Sequence, residues 1–415
     1  MKIYWITLNS RIRAAIVFIA AFLLTQIAFF LVGSFDVLDQ LFGAYIAGFL
    51  VYFLTRWGFF AMRVPMVLPN QETTIYEKYR KNPGRRRQGP GEPAEFIDPD
   101  DADEELLSDD RVIGVYYNEE AAAYPLAALG VRETSNEDFG DTPLAVSWSP
   151  VTYSARVFKA NLNGTLLTMN RHTHTVFNSP AIPEEKGSTI IQFIGQAVTG
   201  DLAGWTLEQV PAVTTTWAAW KEAHPDTEVM STEGGPEADM FERYYANDRN
   251  GIHSLNPGDK RLNGKDVVLG LDIKGDARAY SYAGLIETPI VEEDLGRLPI
   301  VVMHERSSAT AVAYSRTIGG KTLNFKGKSK NPRRRSVEAT ASGEGERSTY
   351  EPWLVEDTQT GSTWRAISGE CIEGELKGSR LEMLSGMTGF WYAWSRFYPN
   401  ATLFGAINEV SESQE

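Results

Sequence analysis

The chain has 415 residues and a mass of 46.2 kDa, enough for two modest domains plus an anchor. Its net charge of -14 is uneven: residues 1–90 hold eleven Lys/Arg and four Asp/Glu, leaving 29 and 50 for the remainder, a balance of +7 against -21. The acidic body excludes nucleic acid as its partner, and a single cysteine, Cys371, excludes an intramolecular disulfide and a thiolate-rich zinc site.

From the N-terminus, the run Ala14–Val32 is almost wholly apolar and just long enough, at about 1.5 Å per residue, to cross a bilayer core. A second apolar run follows Leu41 and ends near Arg56 and Trp57. The two predict a transmembrane hairpin within residues 1–62, with spans over about 14–33 and 41–60. Gly43 and Gly48 would allow close helix packing. Lys2, Arg11 and Arg13 precede the first span, only Asp36 and Asp39 lie between the spans, and Arg56, Arg63, Lys78 and Arg80 follow them. That bias predicts a multi-pass cell-membrane protein with its body on the cytoplasmic side. If only the first run spans, the body lies on the exoplasmic side. Residues 63–110 read as a charged, Pro/Gly-rich linker whose basic part would meet anionic lipid.

The body presents one pattern twice. Gly114, Tyr124, Pro143 and Gly164 recur as Gly270, Tyr280, Pro299 and Gly320, each 156 residues later; Gly187, Gly200, Trp217 and Trp220 recur as Gly361, Gly374, Trp391 and Trp394, each 174 later. The 18-residue difference is an insertion near 326–348. This predicts two tandem homologous units, 111–232 and 267–406, joined by 233–266 and followed by a tail, 407–415. V-I-G-V-Y-Y and V-V-L-G-L-D-I read as strands that turn at N-E and K-G into A-A-A-Y-P and A-R-A-Y-S. P-L-A-V-S-W and P-I-V-V-M-H are the next strands. The paired tryptophans, three residues apart, share a face of a short helix and serve as core.

Three sets of residues bear on chemistry. Ser149-Pro150-Val151-Thr152 has the layout of a redox or metal knuckle with hydroxyls in place of thiols, and the corresponding stretch, Glu305 to Ser308, lacks cysteine too. His304, Glu305 and Ser307 or Ser308 would form a serine-type set, but adjacent strand residues face opposite ways and no G-x-S-x-G context is present. His172 and His174 would share a strand face and could hold a transition metal, without an identifiable third ligand. Arg278, where the first unit has Ala122, makes a local hydrogen bond or meets an anion.

The stretches V-I-G-V-Y-Y-N-E-E-A-A-A-Y-P-L, T-P-L-A-V-S-W-S-P-V-T-Y-S-A and W-A-A-W-K-E-A-H-P-D-T, with G-D-A-R-A-Y-S and W-Y-A-W-S-R-F-Y-P-N in the second unit, resemble the DUF3179 family, a domain of unknown function. The resemblance covers 112 to about 404. Members of that family carry a Y-C-P-x-C-G-like segment. The resemblance therefore implies a degenerate site at Ser149, Pro150, Thr152, Glu305 and Ser308, which retains the scaffold without thiol chemistry. It also implies an exported domain.

The resulting expectation is an α+β, strand-rich fold: two tandem homologous domains behind an N-terminal two-helix transmembrane anchor. Its expected role is a non-catalytic accessory or structural subunit of an integral-membrane complex, with other membrane subunits and anionic lipid as partners, no nucleic acid and no cofactor. The alternatives are a metal enzyme or carrier using His172 and His174, and a small-ligand binding module between the two units.

Overall fold

A computed structural model of the chain describes residues 63–67, 74–78, 80–81, 94–162, 164–172, 174–232, 241–247, 250–251, 259–332 and 350–405. It divides into two compact units, Met1–Lys81 and Asn82–Glu415. In the first, the strands Arg63–Val67 and Thr74–Lys78 pair antiparallel, Arg63 opposite Lys78.

The second unit is an α+β, strand-rich body of several sheets. Continuous runs of apolar and small residues make Arg111–Tyr117 and Glu120–Pro125 a hairpin that is buried over most of its length and exposed at its turn. Asn118 and Glu119 both have positive φ, 52° and 66°, the backbone a two-residue hairpin turn needs. The same hairpin forms from Val267–Ile273 and Asp276–Ser281, turning at Lys274 and Gly275 with φ of 54° and 92°. Each hairpin is flanked by an antiparallel strand, Val213–Thr216 or Met387–Phe390, and by a parallel one, Glu228–Met230 or Thr402–Phe404.

A short helix and a second antiparallel sheet follow each hairpin. In the first half this sheet contains Thr134–Phe139, Thr142–Ser149 and Ser154–Lys159; in the second, Ile290–Leu295, Leu298–Glu305 and Thr310–Ser315. Later in each half lie the tryptophan helices Trp217–Ala223 and Trp391–Phe397. Their rings are core, as the three-residue spacing predicts. Trp220 lies over Gly114 and Trp394 over Gly270, where an added Cβ would meet ring carbons at 2.1 Å. Only glycine leaves room for that approach.

The halves are not separate domains. Met387–Phe390 packs on Ser154–Lys159, Val213–Thr216 packs on Thr310–Ser315, and both halves belong to the single unit Asn82–Glu415. One apolar cluster draws Trp217 and Trp220 from the first half and Tyr314, Trp353 and Trp364 from the second.

The expectation of a membrane anchor is corrected. Among the described residues no helix is long and apolar enough to cross a membrane. The longest helices among the described residues have seven residues, about 10 Å of rise against a core of about 30 Å. The runs 14–33 and 41–60, with Gly43 and Gly48, lie outside the described residues. The multi-pass location, the membrane-subunit role and the partnership with integral-membrane chains and anionic lipid are corrected with it, because the described fold contains no element to carry them.

Candidate functional site

The hydroxyl knuckle is a buried turn. Ser149 pairs with Ser154 across a four-residue loop, and Glu305 pairs with Thr310 across another. Ser149, Thr152, Ser154, Glu305, Ser308 and Thr310 are each at most 2 % exposed. Ser149 Oγ accepts from the Thr152 amide at 3.3 Å, Thr152 and Ser154 share a hydrogen bond of 2.7 Å, and Ser154 Oγ donates to Gln192 at 3.2 Å. Pro150 occupies the turn.

In the second half Glu305 accepts from Ser307 at 2.7 Å, Ser308 at 2.5 Å and Tyr350 at 2.8 Å. Burial raises its carboxyl above the ordinary value and these donors oppose the rise. Thr310 then bonds Thr215 at 2.7 Å, and Arg111 donates to the Ser308 carbonyl, so the chain of hydroxyls crosses from one half to the other. His304 points elsewhere, edge-on to Tyr282 at 5.2 Å, so His304 and Glu305 do not converge. Each hydroxyl can donate and accept, which lets such a chain close in a dry interior.

The metal reading of the histidine pair is corrected. Among the described residues no group of three or more His, Cys, Asp or Glu is placed to hold a metal ion. His172 Nδ1 instead lies 2.6 Å from the buried Glu133 carboxylate. The strand begins only at His174, whose side chain lies outside the described residues. Cys371 is buried and burial raises its thiol above the ordinary value, against a reactive thiolate.

A cleft of about 790 Å³ lies beside the first hairpin. The second strand of that hairpin brings Ala122 and Tyr124 to it, the next strand brings Glu137, and the parallel neighbour brings Glu228, directly opposite Ala122. His224, at the end of the tryptophan helix, stacks on Tyr116 with ring centres 4.8 Å apart. From the second half come Arg365, Glu370 and Arg380.

Charge in the cleft is one-sided. Eight carboxylates line it against two guanidiniums. Arg365 pairs with Glu222 at 3.1 Å and Glu370 at 3.2 Å, and Arg380 lies over the Tyr116 ring at 4.6 Å. His224 adds no positive charge, since burial, helped by Arg380, lowers its pKa to about 3. Burial raises the Glu137 carboxyl above its usual range. At the floor sits Tyr124, 0 % exposed, whose hydroxyl has no hydrogen-bond partner among the described residues. Burial pushes that hydroxyl well above the ordinary tyrosine value, and the charges of Glu137 and Glu228 push it further. A buried hydroxyl without a partner costs about 1–3 kcal/mol.

The sequence reading missed this cleft, because its residues come from strands far apart in the chain. The contrast of A-A-A-Y with A-R-A-Y was the available signal.

No curated protein and no solved structure matches the chain. A family model described as "Protein of unknown function (DUF3179)" matches residues 92–401 in a single span. That span corrects the expectation of two tandem copies, each a domain of the family: both halves, with the helix Pro99–Glu105, make up one family domain. The chain therefore belongs to the DUF3179 family.

Proposed function

We propose that the body is a binding domain whose acidic cleft receives a small organic cation. The observation that carries this reading is the wholly buried, unpartnered hydroxyl of Tyr124 on the floor of a cleft where carboxylates outnumber guanidiniums eight to two. Excess negative charge between low-dielectric walls draws cations, and a few convergent polar groups fix their orientation. The Tyr116 ring is already covered by Arg380 and His224, so the ligand cation is held by the carboxylates rather than by an aromatic face. In this reading Ser149, Pro150, Thr152, Glu305 and Ser308 are the joint that holds the halves, and hence the cleft walls, in place. Calorimetric titration with putrescine, agmatine and size-matched dicarboxylates tests it. Binding of a cation, weakened by salt and by Glu137→Gln with Glu228→Gln, supports the reading. Preference for the acids, or no cation bound, removes it.

A further inference from the structure

The second half contains the same arrangement with its occupant built in. Tyr124 lies opposite Ile113 in one hairpin, as Tyr280 lies opposite Leu269 in the other. Ala122 lies opposite Val115, as Arg278 lies opposite Leu271. Glu137 and Glu293 take matching places in the next hairpins, opposite Leu144 and Ile300. On the parallel neighbour, Glu228 is opposite Ala122 and Thr402 is opposite Arg278.

In the second half this set is closed. Tyr280 donates to Glu293, Arg278 Nε lies 2.9 Å from Glu293 Oε1, and the guanidinium lies 5.7 Å from the Tyr280 ring centre. Arg278 Nη1 reaches Thr402 Oγ1 at 3.4 Å. In the first half the tyrosine and glutamate remain, the arginine is reduced to Ala122, and the threonine is replaced by a further carboxylate, Glu228. Among the described residues the Tyr124 hydroxyl has no hydrogen-bond partner, and the space beside Ala122 opens into the cleft.

Resting on the cation reading above, we infer that the ligand carries a guanidinium group. It docks between Glu137 and Glu228 over Tyr124, in the place that Arg278 fills in the other half. A planar guanidinium with five donors can bridge two carboxylates while one further N–H donates to the Tyr124 oxygen; an ammonium is a compact point donor with poorer reach to all three. The group could come from a small guanidino compound or from an arginine side chain.

The test is calorimetric titration of the full chain with two matched pairs: agmatine against 1,5-diaminopentane, and N-acetyl-arginine methylamide against N-acetyl-lysine methylamide. The guanidinium member of a pair should bind about tenfold tighter than its ammonium counterpart. The tighter of agmatine and the arginine amide assigns the source. Ala122→Arg places the missing guanidinium in the cleft and should abolish binding of both guanidino probes. Should that variant fail to fold, Glu228→Thr, which copies the residue at 402, should remove the guanidinium preference. Equal or tighter binding of the ammonium probes overturns the inference and leaves the cation reading standing. Binding of neither class overturns both.

Discussion

The hydroxyl of Tyr392 donates to the carbonyl of Val151 at 2.8 Å, joining the tryptophan helix of the second half to the knuckle of the first across 241 positions of sequence. Tyr244 donates to the same carbonyl, also at 2.8 Å. Two donors on one oxygen, one buried and one half-buried, predict redundancy. Tyr392→Phe should cost only about 1 kcal/mol, since the carbonyl keeps one partner. Adding Tyr244→Phe leaves that carbonyl bare, and the pair should cost more than the sum of the single changes. Urea unfolding of the two single variants and the double variant measures this; strict additivity would remove the joint from the account.

Gly114→Ala should destabilise the first half through its tryptophan. The new methyl would sit 2.1 Å from Trp220 Cε3, and a fused ring in a packed core cannot turn aside. A cost of about 1–3 kcal/mol is expected, the usual range for overpacking. Gly130→Ala is the control, because nothing lies within 4 Å of its added carbon. Denaturation midpoints for the two variants should separate clearly; coincidence would show that Trp220 is not seated as described.

Much of this architecture was open to sequence reasoning because it is local. The short apolar runs V-I-G-V-Y-Y and V-V-L-G-L-D-I and the turn pairs at 118–119 and 274–275 specify hairpins whatever surrounds them. The cleft is different. Tyr124, Glu137 and Glu228 meet through one hairpin, its neighbour and a parallel strand about a hundred residues on, and no local pattern encodes that meeting. The two ladders of matching glycines and tryptophans suggested separable domains, but spacing along the chain does not tell whether two units share a core. Here they do, through Trp217, Tyr314 and Trp364. The acidic stretch after Asp98 reads as linker by composition, yet its first residues carry a helix start.

That start is testable. Asp98 Oδ1 accepts from the amides of Asp100 and Asp101 at 3.0 and 3.1 Å, with Pro99 at the first helical position. The helix then presents Asp103 to the indole of Trp217 at 2.8 Å. Asp98→Ala should cost about 1 kcal/mol, and Asp98→Asn, which keeps the accepting oxygen, should restore most of it. Amide hydrogen exchange over Ala102–Leu106 should quicken in the alanine variant alone. Equal exchange in both variants would place the charge of Asp98, rather than its cap, as the stabilising feature.

Acid should unfold the body through its buried histidines. Burial lowers the pKa of His224 to about 3 and of His304 to about 4, with Arg380 acting on the first and Arg306 and Arg111 on the second. Both are neutral in the folded state at pH 7. The unfolded chain binds their protons near the ordinary value of 6.5, so between about 6.5 and 4 it holds two more protons at these sites than the folded state. Their contribution to stability is complete above the unfolded value and is lost as pH falls through that window, by about 1.4 kcal/mol per pH unit for each residue. Glu305 and Glu137 act with the opposite sign, because burial raises their folded values; they offset part of the loss at the acid end of the window. His304→Leu should therefore flatten the slope of unfolding free energy against pH between 6.5 and 5 by about one proton. In the folded wild-type chain the imidazoles of His224 and His304 should show no titration by NMR above pH 5. Protonation of either ring near pH 6 in the folded chain would mean that water or a counter-charge reaches it; for His224 it would also add a positive charge to the cleft.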